Sequence, residues 1–201
     1  CNRIELMLNN IMSSTTLSLQ QFEFLDANEF IKKFSDMLKC YSERLNFTFK
    51  ATAKLDKPLN IPVAPIERII LNLVTNAVKY NSKEEKKVAL KISSGDGFTY
   101  FSVKDNGDGI APRNIEKVTK KFFRVGGVNV PGMGLGLHLV KNLISQMNGT
   151  LEIKSKEKKG TEVIFSVPDN CPSKFALHSN DYVYNPSKST FDIEFSTLFT
   201  N

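Results

Sequence analysis

The 201 residues are 41% hydrophobic, include 15 Phe and are 24% charged, enough apolar material for one ordinary domain core beneath an average surface. The net charge of +6 comes from lysines scattered over helices and turns, with one short cluster at Lys154, Lys156, Lys158 and Lys159, so neither a nucleic-acid partner nor membrane contact is expected. Cys1, Cys40 and Cys171 are odd in number and far apart, which excludes a disulfide framework and a CxxC zinc site, and no run of ~18 apolar residues offers a membrane span.

Ile4, Met7, Leu8 and Ile11 recur at helical spacing and predict an amphipathic helix over residues 2–14. The opening Cys-Asn-Arg-Ile-Glu has neither an initiator Met nor a signal-peptide pattern, so a piece cut from a longer protein is expected. Asp26 with Glu29 resembles a capping box. Phe30, Phe34, Met37, Leu38 and Tyr41 then stripe a helix reaching Arg44. Phe47 to Phe49 reads as a short strand and Asp56-Lys57-Pro58 as a turn. A helix is predicted from Pro65 to Lys79, with Ile66, Ile69, Ile70, Leu73 and Ala77 on one face.

Val88, Leu90 and Ile92 alternate, as do Phe101 and Val103 beyond Gly95-Asp96-Gly97, giving an antiparallel hairpin. Gly136 to Asn148 reads as a helix stopped by Asn148-Gly149. Leu151 and Ile153 pair with Val163, Phe165 and Val167 around Gly160 in a last hairpin. In the tail, Phe191, Ile193 and Phe195 alternate like an edge strand. This order predicts an α+β two-layer sandwich, a mixed β-sheet covered on one face by helices.

Three segments carry chemistry. Steps of four and three residues set Asn72, Asn76 and Lys79 on one stripe of the helix ending at Lys79. An Asn carbonyl suits Mg²⁺, which takes its other oxygens from phosphates and water, and Lys79 adds positive charge. Asp105 shares strand parity with Phe101 and Val103, so its carboxylate faces the helical layer, where the exocyclic amine of adenine is a suitable donor. Gly107 and Gly109 let the backbone come close to a flat base. Gly132-Met133-Gly134-Leu135-Gly136-Leu137 matches neither a dinucleotide fingerprint nor a Walker loop; it is a glycine loop entering a helix, whose free N–H groups favour phosphate. Residues 110–131, with Lys120-Lys121-Phe122-Phe123-Arg124 and Gly126-Gly127, suit a hinged cover. His138 reads as a partly buried helix residue, not a catalytic one.

Together these segments resemble the boxes of the ATP-binding catalytic domain of sensor histidine kinases, in the superfamily shared with gyrase and the mismatch-repair ATPases. Asn72 to Tyr80 is similar to the N box, Asp105 to Gly109 to the first glycine box and Phe122-Phe123-Arg124 to the F box. Gly132 to Leu137 and Lys159-Gly160-Thr161 resemble the remaining glycine boxes. The resemblance spans residues 27–168 and implies ATP and Mg²⁺ as cofactors. It implies Asn76 as the metal ligand with Asn72 beside it, Lys79 and Arg124 at the phosphates, and Asp105 at adenine. Tyr80, Ile110 and Leu137 would line the pocket, with Phe123, Gly107, Gly109, Gly132, Gly134, Leu135, Gly136 and Thr161 completing the binding set.

In ATP-hydrolysing relatives a Glu stands four residues before the metal Asn. Here Asn72 cannot serve as a general base, which favours phosphoryl transfer over hydrolysis. No histidine precedes His138, so the phospho-acceptor is expected outside this chain. The stretch between Arg124 and Gly132 is short for the family's lid. Residues 1–26 would end a dimerisation hairpin, and residues 169–201 form a tail of unassigned role. The implied partners are the phosphoacceptor-His dimerisation domain, a response regulator receiver domain and a second copy in a full-length homodimer. The implied location is cytoplasmic, including the cytosolic part of a membrane-anchored sensor. Two alternatives remain open: a non-catalytic nucleotide-binding regulatory module, and a serine kinase acting on a regulatory protein.

Overall fold

A computed structural model describes residues 23–25, 27–55, 59–61, 63–125, 134–169, 195 and 198. The helix expected over 2–14, the Asp26 cap, the Asp56-Lys57-Pro58 turn, Gly126-Gly127, Gly132, Phe191 and Ile193 lie outside these residues.

The described elements run β1 (Glu23–Leu25), α1 (Ala27–Arg44), β2 (Phe47–Lys54), β3 (Leu59–Ile61), α2 (Val63–Lys79), β4 (Lys86–Gly95), β5 (Phe98–Asp105), α3 (Gly136–Gln146), β6 (Thr150–Lys156) and β7 (Gly160–Pro168). Five strands form one sheet in the order β2-β4-β5-β7-β6, while β1 and β3 pair separately. The pairs β4–β5, β5–β7 and β6–β7 are antiparallel and β2–β4 is parallel, so the sheet is mixed as expected. The parallel pair follows from connectivity, because α2 carries the chain from one end of the sheet to the other between β2 and β4.

Alternation decides which face is covered. Val88, Leu90 and Ile92 on β4, Phe101 and Val103 on β5, and Val163, Phe165 and Val167 on β7 are buried beneath the helices. The intervening Lys87, Lys91 and Lys104 are exposed. Phe101 and Phe165, opposite each other in register, stack with centroids 4.7 Å apart. Side chains of this size contribute about 1.5–3 kcal/mol each when buried. The helix α1 buries Phe30, Phe34, Leu38 and Tyr41, and Phe34 meets Phe49 of β2 at 5.8 Å. The helix α2 lies against α3, β4 and β5, and α3 against β6 and β7.

Several boundaries differ from the sequence reading. The strand β2 continues to Lys54 because Ala51 and Ala53 keep the inward parity of Phe49, though they are too small to stand out. The helix α2 begins at Val63, ahead of Pro65, which the first turn tolerates because N–H groups there have no helical acceptor. The helix α3 closes at Gln146. Asn148 turns left-handed at φ +55 and Gly149 N–H returns to the Ile144 carbonyl at 2.9 Å. The paired β1 and β3 were not expected at all. Phe195 is helical, not part of an edge strand. Its ring is fully buried, stacked on Tyr41 at 4.5 Å and 6.3 Å from Phe47, so tail and core meet there.

Glu67 of α2 is only 7% exposed, and its Oε2 has no hydrogen-bond partner among the described residues. Burial pushes its carboxyl from 4.5 up to about 7, with Lys33 of α1 pulling the other way. A folded-state value above the unfolded one means stability present at low pH and lost as pH rises from 4.5 through about 7. The gap corresponds to about 3 kcal/mol. Glu67→Gln should therefore gain up to about 3 kcal/mol of stability at pH 8 and almost nothing at pH 4.5. Urea unfolding at both pH values checks this; an equal gain at both would remove ionisation as the cause.

Candidate functional site

Residues remote in sequence line one cavity of about 360 Å³ between α2, the end of β5, the start of α3 and the β6–β7 hairpin, a volume at the lower end of small-molecule sites. Of the residues singled out from the sequence, Asn72, Asn76, Lys79, Tyr80, Asp105, Gly109, Ile110, Phe123, Arg124, Gly134, Leu135, Gly136, Leu137 and Thr161 all line it. Gly107 stands one bond behind, through its N–H to Asp105, and Gly132 lies outside the described residues.

The α2 wall is built from helix geometry. Asn72 is buried, and its Nδ2 donates to the Arg68 carbonyl at 3.1 Å, which leaves Oδ1 turned toward α3. Across the gap, a Cβ on Gly136 would stand 3.0 Å from Asn72 Oδ1 and 3.6 Å from Asn76 Nδ2. The glycine thus lets the α3 N-terminus approach both amides. Leu135 precedes the first helical residue and provides no side-chain cap for the leading N–H groups of α3, a helix entry that lines the cavity. Lys79 Nζ lies 5.1 Å from the Tyr80 ring centroid. Burial raises the Tyr80 hydroxyl above its ordinary value, with the charge of Arg124 opposing it.

Asp105 ends β5 with the inward parity expected. Its Oδ1 accepts from Gly107 N–H at 2.7 Å and Thr161 N–H at 3.1 Å, while Oδ2 accepts no hydrogen bond among the described residues. One oxygen is therefore committed to the fold and the other is turned over to the cavity. Burial raises its carboxyl above the usual range, and those two N–H donors partly offset the effect. Ser155 braces the same turn, its Oγ accepting from Ile110 N–H at 2.8 Å and contacting Thr161 Oγ1 at 2.8 Å. Asn106 anchors the other flank, taking N–H bonds from Asn81 Nδ2 at 2.9 Å and Lys87 at 2.8 Å. The turn glycines are also crowded by neighbouring protein. A Cβ on Gly107 would meet the Tyr80 carbonyl at 2.6 Å, and one on Gly109 the Lys156 carbonyl at 2.1 Å.

Sequence reasoning missed Val103, Val163 and Ile153 as apolar lining, although their strand parity with Asp105 and Thr161 was available. It also missed Val118, for which no periodic signal exists. Asp108 lines the cavity too, held by Ser82 N–H at 3.1 Å and by the Ser82 hydroxyl.

The family described as histidine kinase-, DNA gyrase B- and HSP90-like ATPase matches residues 63–170, more than half of the chain. The chain belongs to this family. Every element that builds the cavity lies within the matched stretch. Among its relatives, the sensor protein RprX of Bacteroides fragilis is 34% identical over 173 residues, covering 83% of this chain and 33% of that protein. The chain thus spans about a third of this curated relative. The crystal structure of full-length ShkA in complex with AMPPNP superposes with a TM-score of 0.71 at 22% identity, over 83% of this chain and 36% of that one. The histidine kinase ThkA in complex with the response regulator TrrA gives 0.66 at 19% identity, over 86% of this chain and 48% of the other. Such likenesses establish the fold of this ATPase family. No helix among the described residues is long and apolar enough to cross a membrane.

Proposed function

We propose that residues 27–168 are the ATP-binding catalytic domain of a sensor histidine kinase, moving the γ-phosphate of ATP to a histidine outside this chain for relay to a response-regulator aspartate. The observation that carries this reading is the pair of amides, Asn72 and Asn76, facing the glycine entry of α3 in the cavity that also holds Asp105. An amide at Asn72 cannot deprotonate water, so the site suits transfer to a positioned acceptor better than hydrolysis.

In this reading Asp105 Oδ2 accepts from the adenine amine, while Tyr80, Ile110, Phe123 and Leu137 enclose the base and sugar. The N–H groups at the start of α3 take phosphate oxygens. Lys79 and Arg124 offset the charge of the triphosphate. Among the described residues no group of three or more His, Cys, Asp and Glu could hold a metal alone. A Mg²⁺ ion would fit here through the chemistry of the amide oxygen, with the Asn76 carbonyl as protein ligand, Asn72 beside it, and phosphate and water supplying the rest. Bound there, it would neutralise phosphate charge.

Residues 1–26 belong, in this proposal, to the end of a dimerisation hairpin whose histidine is the acceptor, so the full-length protein works as a homodimer. The receiver domain is its downstream partner and the cytosol its compartment; ThkA bound to TrrA supports that partner by likeness of fold. Phe195, packed on Tyr41 and Phe47, seats that one residue on the core of the catalytic domain. Incubating the chain with Mg-ATP and a histidine-bearing dimerisation domain should yield acid-labile, base-stable phosphate on that domain. Acid-stable phosphate would indicate a serine kinase. Calorimetric binding of ATP with no transfer by the full-length protein would indicate a regulatory module.

A further inference from the structure

One side chain outside the matched boxes ties the residues before Arg124 to α3. His138 lies in the first turns of α3, half-buried, with Nδ1 3.2 Å from the Thr119 carbonyl and Nε2 3.1 Å from Asn142 Nδ2. A carbonyl can only accept, so Nδ1 carries the proton and Nε2 is left to accept from the Asn142 amide, one turn along the same helix. The neutral ring thus satisfies both contacts in a single tautomer. Its partner, Thr119, follows the buried Val118, part of the cavity wall, and precedes the basic and aromatic run that ends at Arg124.

The run from Asn114 to Phe123 is a chain of tight turns. Val118 N–H donates to the Asn114 carbonyl at 3.0 Å, Lys120 N–H to that of Lys117 at 2.9 Å and Phe123 N–H to that of Lys120 at 3.3 Å. Such a segment has few long-range backbone bonds of its own and takes its position from where it is fastened. Among the described residues, two hydrogen bonds fasten it to the α3 entry: Phe122 N–H to the Gly134 carbonyl at 3.0 Å, and His138 Nδ1 to the Thr119 carbonyl. The first point alone allows the run to pivot. Two points, on successive turns, fix its direction and so fix where Arg124 enters the cavity.

We propose that His138 is a positioning residue that sets Arg124 toward the phosphate end of the cavity. The inference rests on the reading of this cavity as an ATP site with Arg124 at the phosphates. It adds that the strength of that contact is governed by an imidazole that never touches the nucleotide.

The test compares ATP with adenosine, which has the base and sugar but no phosphate to meet Arg124. Calorimetry on the whole chain with Mg-ATP, and competition by adenosine, are measured for the parent and for His138→Ala. ATP affinity should fall by about five- to tenfold, and adenosine affinity should stay within about twofold. The thermal midpoint monitors folding. His138→Asn, whose amide N–H can stand where Nδ1–H stands, should restore ATP affinity. In an Arg124→Ala background His138→Ala should cause no further loss, since both act through one group. Equal losses for ATP and adenosine, no loss for ATP, or additive losses in the double variant would each overturn the proposal. A parent chain that binds neither ligand would instead overturn the nucleotide reading, and this inference with it.

Discussion

Asn76→Ala is expected to slow phosphoryl transfer by roughly a hundredfold or more and to make ATP binding indifferent to Mg²⁺. Asn76 stands one helical turn after Asn72, half-buried in the cavity, with the α3 entry across from it. A Cβ on Gly136 would lie 3.6 Å from its Nδ2 and 4.0 Å from its Oδ1, so the amide sits where the glycine segment leaves room and where an incoming phosphate chain would pass. Truncation to a methyl group removes the only side-chain oxygen this position offers. The α2 fold should hardly notice, because Ala is the better helix former and the packing residues of α2 lie on its buried face. Calorimetric titration with ATP, with and without Mg²⁺, separates the two effects from a general loss of structure. A magnesium effect of parental size in Asn76→Ala would show that the ion is held elsewhere and would return Asn76 to an ordinary polar helix edge.

The site was more legible in the sequence than its supports were. Asn72, Asn76 and Asp105 could be read because helix and strand periods are strict: a polar residue at the wrong place in an apolar stripe, or a carboxylate with inward parity, stands out within a few positions. Gly134 and Gly136 could be singled out because they enter a helix, and both line the cavity. What stayed hidden depends on partners distant in the chain or on segments too short to carry a period. The strands β1 and β3 have three residues each, fewer than alternation needs to declare itself. The docking of Phe195 on Tyr41 joins the tail to the first described helix, and nothing local to either residue announces it. The link between His138 and Thr119 has the same character. The turn glycines show a subtler gap: their spacing was read as room for a ligand, yet at Gly109 the crowding atom is the Lys156 carbonyl, visible only once the β6–β7 hairpin is folded against the turn.

Crowding of the same degree recurs at Gly160, against the backbone of Asp105 itself, where substitution should damage stability and ligand binding together. Gly160 opens β7 at φ +108, a conformation that residues with a Cβ adopt only under strain. A Cβ there would stand 2.1 Å from the Asp105 carbonyl oxygen and 2.9 Å from Asn106 Cα. Neither neighbour can yield cheaply, since β5 is hydrogen-bonded on one side to β4 and on the other to β7. Backbone strain and displacement together should cost Gly160→Ala about 3–5 kcal/mol, a large share of a typical domain's total. The displaced strand end also carries Asp105, whose Oδ1 is fixed by the N–H of Thr161, the residue after the substitution. Adenosine affinity should therefore fall by about tenfold or more, even where the variant is still folded, because the carboxylate loses its preset direction. Gly95→Ala provides the comparison, since a Cβ there meets nothing within 4 Å; its unfolding midpoint and adenosine affinity should stay near the parent's. If Gly160→Ala unfolded at the parental urea concentration, the close approach of β7 to the end of β5 would be disproved, and with it the argument that one hairpin both shapes the sheet and aims Asp105.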